Sequence, residues 1–308
     1  MDDFIVRRGI SAAGELVFAL LDFHAIRFIE AIFRSSLALI VQNGRSIFYL
    51  CFMPAAEFFD YYGNLFGERW PSLLEALHGE AVYKTIQYEG GEEPYYLDEA
   101  SVFAAKSLDV HSGMNVLDMC AAPGGKSLVI AGALAGEGSL QCNDRSPDRR
   151  LRLSRVVENC LPEKFRSIIK VTGYDGAKFG MCRREEFDRI LLDAPCSSER
   201  HVLEGEKYLA EWSPKRISHL AITQGSLLAS AIDSLKFGGK MIYSTCALSS
   251  AENDDVVRKI LKKRAGKFRV LKLNPGIEGT DATEFGLHIL PDRCGGRGPI
   301  FCALLEKI

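Results

Sequence analysis

Several features that would assign the chain to a common class are missing from the sequence. Its nine cysteines are an odd number, and none of them forms a C-x-x-C pair. A zinc site or a disulfide framework is therefore not indicated, and a reducing compartment fits best. The longest apolar run near the amino terminus, residues 47–53, is far shorter than the ~18 residues that a membrane span needs. The start carries Asp2 and Asp3 and no cleavage signature, so we expect neither a signal peptide nor a transit peptide.

Two further absences limit the kinds of ligand. The formal net charge is only −2 at pH 7, so the chain as a whole has no electrostatic footprint for nucleic acid, and any such binding must use local patches. The loop at residues 120–126 contains glycines but does not match G-x-G-x-x-G, so a pyrophosphate is not specifically indicated. With 308 residues, the chain is long enough for one large α/β domain and a smaller appendage.

Residues 1 to about 60 have helical spacing but no recognisable chemistry. Residues 58–74 also have a helical pattern, and we expect their aromatic side chains to pack against the main domain rather than to contact a base. Residues 89–94 are rich in glycine, proline and charge, which is typical of a turn or linker. The predicted organisation is a helical region at residues 1–93, of which 1–57 have no assigned role, followed by a second domain at 94–308.

From residue 94 onward, predicted strands alternate with predicted helices. Ser146-Pro147 and Ser213-Pro214 each supply an N-cap followed by a proline at the first helical position. Such alternation predicts an α/β fold with a doubly wound, mostly parallel sheet. The predicted strands are residues 116–119, 140–144, 168–172, 187–193 and 239–242, with a closing strand at 300–305.

The loop after the fifth of these strands is central to the interpretation. Ser249 and Glu252 have the S-x-x-E spacing of a capping box, which predicts a helix start just after Cys246. Cys246 would then lie at the carboxyl end of a strand, where a helix dipole favours thiolate over thiol. A buried structural cysteine is the competing interpretation of this loop.

Aspartates follow or end four consecutive predicted strands. In a doubly wound sheet, such side chains converge on the crevice where the strand order reverses. Asp144 lies about one β-α-β unit after the first strand, where a carboxylate can bind both hydroxyls of a ribose. Several acids without a phosphate cradle suit a nucleoside that carries positive charge, and S-adenosylmethionine is such a ligand through its sulfonium. The four residues are Asp118, Asp144, Asp175 and Asp193.

Two of the strand ends also carry a cysteine, Cys196 and Cys246. A thiolate can add to carbon 6 of a cytosine ring, and this makes carbon 5 nucleophilic enough to accept a methyl group from a sulfonium. A base must then remove the proton from carbon 5 and expel the enzyme. Asp193 could supply a carboxyl at the nitrogen edge of the ring, and the base would have to be unstacked to reach the site.

Three motifs resemble the signature motifs of the NOP/Sun family of RNA (cytosine-5)-methyltransferases. They are DMCAAPGGK at residues 118–126, DAPCS at 193–197 and YSTC at 243–246, and the similarity covers roughly residues 58–308. The segments most similar to the branch that includes the mitochondrial ribosomal-RNA enzyme are residues 58–74, 146–149, 174–176 and 298–302.

The resemblance implies a Rossmann-like class I fold of S-adenosylmethionine-dependent methyltransferases and a role for each matching residue. Cys246 would be the nucleophile, Cys196 would help to release the product, and Asp193 would contact both the cofactor region and the target base. Leu97 departs from the pattern, because many members carry a glutamine there. The cofactor pocket would be lined by Cys120, Ala121, Ala122, Pro123, Gly124, Gly125, Lys126, Asp144, Arg149, Asp175 and Gly176, with Asp193.

The function expected on this basis is methyl transfer from S-adenosylmethionine to carbon 5 of cytosine in RNA through a covalent adduct. Ribosomal RNA is favoured as the substrate, with tRNA as the alternative, and no membrane is expected. No RNA-binding module is recognisable in the sequence, so target choice is expected to come from a partner protein or from the folded shape of the RNA. The expected compartment is the cytoplasm, with the mitochondrial matrix as the alternative.

Three competing functions remain open at this point. The first is a cofactor-binding scaffold without turnover, although both cysteines and all four aspartates are present. The second is a cysteine hydrolase that uses Cys196 or Cys246 with His201 or His219, which leaves the aspartates unexplained. The third is a DNA cytosine methyltransferase, in which the nucleophile would follow a proline and Cys196 would attack.

Overall fold

A computed structural model describes residues 48–308, with side chains from residue 56 onward. Pro54–Ile308 form one compact unit. The helical spacing predicted for residues 1 to about 60 falls largely on residues 1–47, which lie outside the described residues. The predicted boundary between 1–93 and 94–308 stays a prediction.

Helices and strands alternate through most of the described chain. Short 3-10 turns lie at Gly67–Arg69, Gly176–Lys178 and Ser250–Glu252. In chain order the other elements are α1 (Phe48–Phe66), α2 (Trp70–His78), β1 (Tyr83–Ile86), β2 (Tyr95–Asp98), α3 (Glu99–Lys106), β3 (Asn115–Asp118), α4 (Gly125–Leu134), β4 (Ser139–Asn143), α5 (Pro147–Cys160), α6 (Glu163–Arg166), β5 (Ile169–Thr172), α7 (Phe179–Cys182), β6 (Phe187–Asp193), α8 (Glu199–Val202), α9 (Glu206–Glu211), α10 (Pro214–Ser234), β7 (Leu235–Thr245), α11 (Asp254–Lys263), β8 (Phe268–Leu271), β9 (Asp281–Ala282), β10 (Leu287–Ile289) and β11 (Ile300–Lys307).

Within residues 48–308, nine strands form one sheet in the order β5-β4-β3-β6-β7-β11-β10-β9, and β8 also pairs with β11. The strands from β5 to β7 are parallel, and β11 is antiparallel to β7. The predicted doubly wound, Rossmann-like and mostly parallel sheet is therefore confirmed. Because the strand order reverses between β3 and β6, the carboxyl ends of these two strands border the crevice in which such sheets bind ligands.

Helices cover both faces of this sheet. Neighbouring residues of β3 illustrate the arrangement, because Val116 packs into the core on one face and Leu117 into the core on the other. The first core contains apolar residues of α3, α4 and α5, and the second contains those of α10 and α11. Burial on both faces explains the short continuous apolar runs in β6 and β7, at residues 190–192 and 241–243.

The aromatic residues of α1 and α2 pack against the main domain, as predicted. Phe58 and Tyr62 are fully buried, and their rings lie 5.1 and 5.7 Å from that of Trp212. Trp70 stacks on Tyr62 with ring centroids 5.5 Å apart. This cluster places α1 and α2 beside the loops that follow β6 and β7.

The predicted capping box after Cys246 is wrong. Ser249 does act as an N-cap, but it caps the 3-10 turn by accepting a hydrogen bond from the backbone N–H of Ala251. Glu252 turns inward instead of reaching back, and α11 begins only at Asp254. Cys246 therefore does not directly precede the start of an α-helix. The reason is that buried donors elsewhere in the fold need the carboxylate of Glu252.

Glu252 belongs to a buried group that we name the acid cluster: Ser197, Glu199 and Glu252. The hydroxyl of Ser197 lies within hydrogen-bond distance of both carboxyl groups; with its single proton it donates to one, and the other, when protonated, donates to it. Glu252 also accepts from the backbone N–H of Ser197 at 3.0 Å and from the side chain of Gln224 at 2.9 Å. Glu199 accepts from the backbone N–H of Leu248 at 3.0 Å. The acid cluster thus joins the loop after β6 to the loop after β7.

Burial, reinforced by the charge of Glu199, raises the pKa of Glu252 to about 7. Burial also raises the pKa of Glu199. Two carboxyl groups that share one hydroxyl in the core repel one another when both are ionised. The acid cluster therefore favours a state in which a proton remains bound near neutral pH.

The aromatic cluster should contribute strongly to stability. We expect Phe58→Ala to lower the free energy of unfolding by about 3–5 kcal/mol, because it removes a fully buried ring from a packed core. Urea denaturation measures the change. Leu65→Ala, at an exposed position of the same helix, is the control and should change stability by less than about 0.5 kcal/mol. Equal effects of the two substitutions would contradict the described packing.

The acid cluster should make stability depend on pH. The raised pKa of Glu252 means that its contribution is complete below the unfolded value of 4.5 and is lost as pH rises through about 7. Glu252→Gln cannot ionise, so we expect the variant to gain roughly 1–3 kcal/mol relative to the wild type between pH 5 and 8. Urea titrations across this range measure the difference.

Glu211→Gln, at an exposed position of α9, is the matched control and should follow the wild-type pH profile. If the free energy of unfolding of Glu252→Gln depended on pH in the same way as that of the wild type, Glu252 would not retain a proton in the folded protein.

Candidate active site

The carboxyl ends of β6 and β7 and the loop after β3 open into a cleft of about 520 Å³. The cleft lies beside the switch point of the sheet, as the position of the motifs predicts. The residues that were predicted from sequence and line this cleft are Ala122, Pro123, Lys126, Arg149, Asp193, Cys196 and Cys246.

The two cysteines are brought into direct contact. Their Sγ atoms are 2.9 Å apart, and the backbone N–H of Cys246 donates to Sγ of Cys196 at 3.3 Å. The hydroxyl of Ser198 lies 2.9 Å from Sγ of Cys246. The hydrogen bond to Cys246, together with burial, raises the pKa of Cys196 well above its ordinary value. The contact between the two sulfurs therefore disfavours the thiolate form of Cys196.

The sequence predicts a helix N-terminus as the positive group near Cys246. In the structure, a positive charge near the cysteines comes from the side chain of Lys126. Its Nζ donates to Asp193 at 2.8 Å, and Ser244 donates to the other oxygen of Asp193 at 2.9 Å. Burial alone lowers the pKa of Lys126, but the attraction to Asp193 outweighs it, with a smaller contribution from Cys246, so the net shift is upward. Lys126, predicted with the cofactor pocket, thus remains charged beside the cysteines.

Three of the four strand-end aspartates lie close enough to interact electrostatically. Asp118 is fully buried and accepts from the hydroxyl of Ser127 at 2.6 Å. Burial raises the pKa of Asp118 to about 7, and the charges of Asp193 and Asp144 add to the rise. The predicted convergence of Asp118, Asp144 and Asp193 is therefore present in the structure.

The loop of the fourth aspartate is tied to the same edge of the sheet through Asn143. The amide of Asn143 donates to the backbone carbonyls of Met119 and Tyr174 at 3.1 and 3.0 Å. Asp175 itself caps a 3-10 turn by accepting from the backbone N–H of Ala177 at 3.2 Å. Gly176, which follows it, is buried, and a Cβ there would lie 2.7 Å from a side-chain carbon of Leu227.

Asp144 offers an unused acceptor at the place predicted for a ribose. Its side chain is buried, and Oδ1 accepts from the backbone N–H of Ser146 at 3.0 Å. Within the described residues, Oδ2 accepts no hydrogen bond, although it forms an ion pair with Nε of Arg149 at 3.5 Å. A buried carboxylate oxygen without a donor is costly, so this atom fits the hydroxyl of a ligand.

The loop after β3 is packed too closely for larger residues. Gly124 has φ +120°, and a Cβ at Gly125 would come within 2.6 Å of the ring of Tyr95. Arg149 fixes the loop from α5 by donating to the carbonyl of Ala122. Ala121 donates to the carbonyl of Asn143 at 2.8 Å, which ties the loop to β4.

The remaining predicted cofactor residue, Cys120, is an unreactive thiol. Burial, with the nearby charge of Asp118 adding to it, raises the pKa of Cys120 far above its ordinary value. Cys120 is therefore suited to pack beside a ligand rather than to attack one.

Sequence reasoning missed several residues of the cleft. Ser198 could not be found because its contact with Cys246 depends on a left-handed backbone, with φ 55°. Ser244 could have been found, since pairing β6 with β7 in parallel places it opposite Asp193. At position 97, where the resemblance implies a glutamine in many family members, the Leu97 side chain packs near Gly125. Its neighbour Asp98 lines the cleft.

The hydrogen bonds of the histidines give no support to the cysteine-hydrolase interpretation, although His201 lines the cleft together with both cysteines. His201 bonds Glu204 at 2.7 Å, and His219 lies on an exposed face of α10. In the part of the chain that the structure describes, the side-chain hydrogen bonds of Cys196 and Cys246 run only between themselves and to Ser198.

None of the described helices has the length and hydropathy needed to cross a membrane.

A protein-family model described as 16S rRNA methyltransferase RsmB/F matches residues 105–306. The mitochondrial tRNA (cytosine(34)-C(5))-methyltransferase of Mus musculus is 34% identical over 223 residues, which is 69% of this chain and 63% of the relative. Ribosomal RNA small subunit methyltransferase F of Cronobacter sakazakii is 36% identical over 229 residues, or 72% of this chain and 46% of the relative. The chain thus spans less than two thirds of the length of these relatives.

Two solved structures are similar to this one. The crystal structure of PH0851 covers 89% of this chain and 71% of its own, with a TM-score of 0.71 and 20% identity. The crystal structure of NSun6 from Pyrococcus horikoshii with SFG covers 71% of this chain and 54% of its own, with a TM-score of 0.59 and 27% identity. Since the family model spans the sheet and both cysteine loops, the chain belongs to the 16S rRNA methyltransferase RsmB/F family, which is the NOP/Sun family that its motifs resemble.

Proposed function

We propose that this protein transfers a methyl group from S-adenosylmethionine to carbon 5 of a cytosine in RNA through a covalent bond to Cys246. The observation that carries the proposal is the pair of thiols 2.9 Å apart beside the ion pair of Lys126 and Asp193. Both groups line the same cleft as the loop that contains Ala122 and Pro123. Membership of the RsmB/F family supports the same chemistry.

The residues of the cleft fit S-adenosylmethionine as the methyl donor. Oδ2 of Asp144, which accepts no hydrogen bond from the described residues, would accept one from a ribose hydroxyl, and the acids around it suit a ligand with positive charge. When bound, this cofactor supplies an electrophilic methyl group. The residues that would hold it are Cys120, Ala121, Ala122, Pro123, Gly124, Gly125, Lys126, Asp144, Arg149, Asp175, Gly176 and Asp193.

Cys246 is the attacking residue in this proposal. Its thiolate adds to carbon 6 of the cytosine, and the electron pair of the 5,6 double bond shifts toward carbon 5. Asp193, held by Lys126 and Ser244, faces the cleft where it can contact the nitrogen edge of the ring. The contact with Cys246, together with burial, raises the pKa of Cys196, which suits Cys196 to the protonated role in the pair.

Release of the product needs the adduct to break. A base removes the proton from carbon 5, the electrons of that bond restore the 5,6 double bond, and the sulfur of Cys246 leaves. Cys196 acts in this late step, because its sulfur already contacts both the sulfur and the backbone N–H of Cys246.

Ribosomal RNA is the substrate that we favour, with tRNA as the alternative. The family model and the Cronobacter relative carry rRNA in their descriptions, whereas the mouse relative carries tRNA. A protein partner, or the shape of the RNA, would select the target. Relatives named as mitochondrial enzymes support the mitochondrial matrix over the cytoplasm as the compartment.

The two cysteine roles are tested by trapping the adduct. Cys196→Ala should still attack and transfer the methyl group but then stall, so a protein–RNA adduct should survive denaturing electrophoresis. Cys246→Ala should abolish methyl transfer and form no adduct, and the double variant should form none. The assay measures radiolabelled methyl transfer and the adduct band with RNA and with duplex DNA.

Cys182→Ala, at an exposed cysteine on α7, is the control and should behave as the wild type. An adduct in Cys246→Ala and none in Cys196→Ala would reverse the two roles and favour the arrangement of a DNA methyltransferase. Absence of methyl transfer to RNA by the wild-type protein would contradict the proposed function itself.

The ribose contact is tested separately by calorimetry. Asp144→Ala should weaken binding of S-adenosylmethionine by roughly 1.5–3 kcal/mol, the range for a hydrogen bond to a charged group. Asp148→Ala removes an exposed carboxylate from the first turn of α5 and should leave the affinity unchanged. Unchanged affinity in Asp144→Ala would remove this residue from the cofactor site.

A further inference from the structure

The hairpin of β1 and β2 has one covered face and one open face. In its antiparallel register Tyr83 lies opposite Asp98, and Thr85 lies opposite Tyr96. These four residues share one face, because directly opposed residues of a pair point the same way. Tyr83 is 62% exposed and Tyr96 is 63% exposed. We name this surface, formed by Tyr83 and Tyr96, the tyrosine face.

The opposite face of the hairpin is the one that packs on the domain. The side chains of Tyr95 and Leu97 lie so close to Gly125 that a Cβ there would be 2.6 and 2.8 Å from them. Both tyrosines of the open face are therefore exposed to solvent, although burial of an aromatic ring is favourable. Two such rings on diagonal positions form an apolar surface that is available to a ligand.

The tyrosine face is continuous with the catalytic cleft. Tyr83 lines the same cleft as Cys196 and Cys246. Asp98, opposite Tyr83, caps α3 by accepting from the backbone N–H of Ala100 and also accepts from that of Gly298 at 3.2 Å. The hairpin is thus held in a fixed position at the rim of the cleft.

The chemistry of the proposed reaction indicates what would cover this face. A cytosine must leave its stack before a thiol in the cleft can reach carbon 6, and its neighbours then lose a stacking partner. Exposed aromatic side chains beside such a site replace that partner, because every base presents a π-face. We propose that the tyrosine face stacks unpaired nucleotides adjacent to the target cytosine, so that the substrate is single-stranded or looped RNA.

This inference rests on the proposed function and deepens it by naming the form of the RNA. Tyr83 is the primary contact, since it lines the cleft itself, and Tyr96 extends the surface away from the cysteines. Neither tyrosine takes part in bond formation, so both are specificity residues. Their loss should weaken RNA binding and leave the chemical step intact.

The test compares alanine and phenylalanine variants in the full-length protein. Tyr83→Ala and Tyr96→Ala should each raise the dissociation constant for a fluorescently labelled short single-stranded RNA with a central cytosine by about tenfold. Tyr83→Phe keeps the ring and should bind as the wild type. Fluorescence anisotropy gives the affinity, and thermal melting checks that each variant is folded.

The kinetic constants give the second measurement. At saturating RNA, both alanine variants should keep kcat within about twofold of the wild type while KM for RNA rises by about tenfold. The same RNA in a duplex should bind the alanine variants and the wild type equally. Phe237→Ala is the matched control, because it removes a ring that is 70% exposed from the amino-terminal half of β7, away from the cleft.

The outcomes separate the two proposals. If the wild type methylates RNA and both alanine variants bind and react like the wild type, the tyrosine face is not a stacking surface and the proposed function stands. The same holds if Tyr83→Phe is as defective as Tyr83→Ala, or if the alanine variants lose affinity for duplex and single strand alike. If the wild type transfers no methyl group to RNA, the proposed function fails first.

Discussion

The hydroxyl of Ser197, held between the carboxyl groups of Glu199 and Glu252, joins the two loops on which the chemistry depends. One of these loops carries Cys196 and the other carries Cys246. All three members of the acid cluster are buried, so their hydrogen bonds cannot be exchanged for water without a large cost. The contact between the two thiols therefore follows from a polar constraint in the core immediately behind them.

The same constraint extends to the amino-terminal helices. Tyr62 of α1 donates its hydroxyl hydrogen to Glu199, while its ring packs against Trp70 and Trp212. One side chain thus connects the aromatic cluster with the acid cluster. This connection gives α1 and α2 a physical role, because they help to hold the cysteine loops although none of their described side chains lines the cleft.

Much of the sheet could be predicted from the sequence, because its parallel strands contain short apolar segments that end in polar loops and alternate with helical patterns. The hairpin β1–β2 was missed, since its strands are half exposed and the residues between them have the composition of a linker. The predicted site residues were mostly brought together, as the contact of Cys196 with Cys246 illustrates. The partners of Lys126 and Glu252 could not be predicted, because each depends on a residue distant in sequence.

The positions where local sequence rules fail are concentrated around the cleft. Glu252 leaves a capping box that its spacing favours, Ser198 adopts a left-handed backbone, and Oδ2 of Asp144 stays buried without a described donor. Each departure costs free energy that a sequence optimised only for stability would avoid. In each case the result is a group that suits the proposed chemistry: a fixed pair of loops, a hydroxyl beside Sγ of Cys246, and a carboxylate oxygen that could accept from a ribose hydroxyl. Positions where the local sequence predicts a structure other than the observed one therefore indicate this site without reference to its motifs.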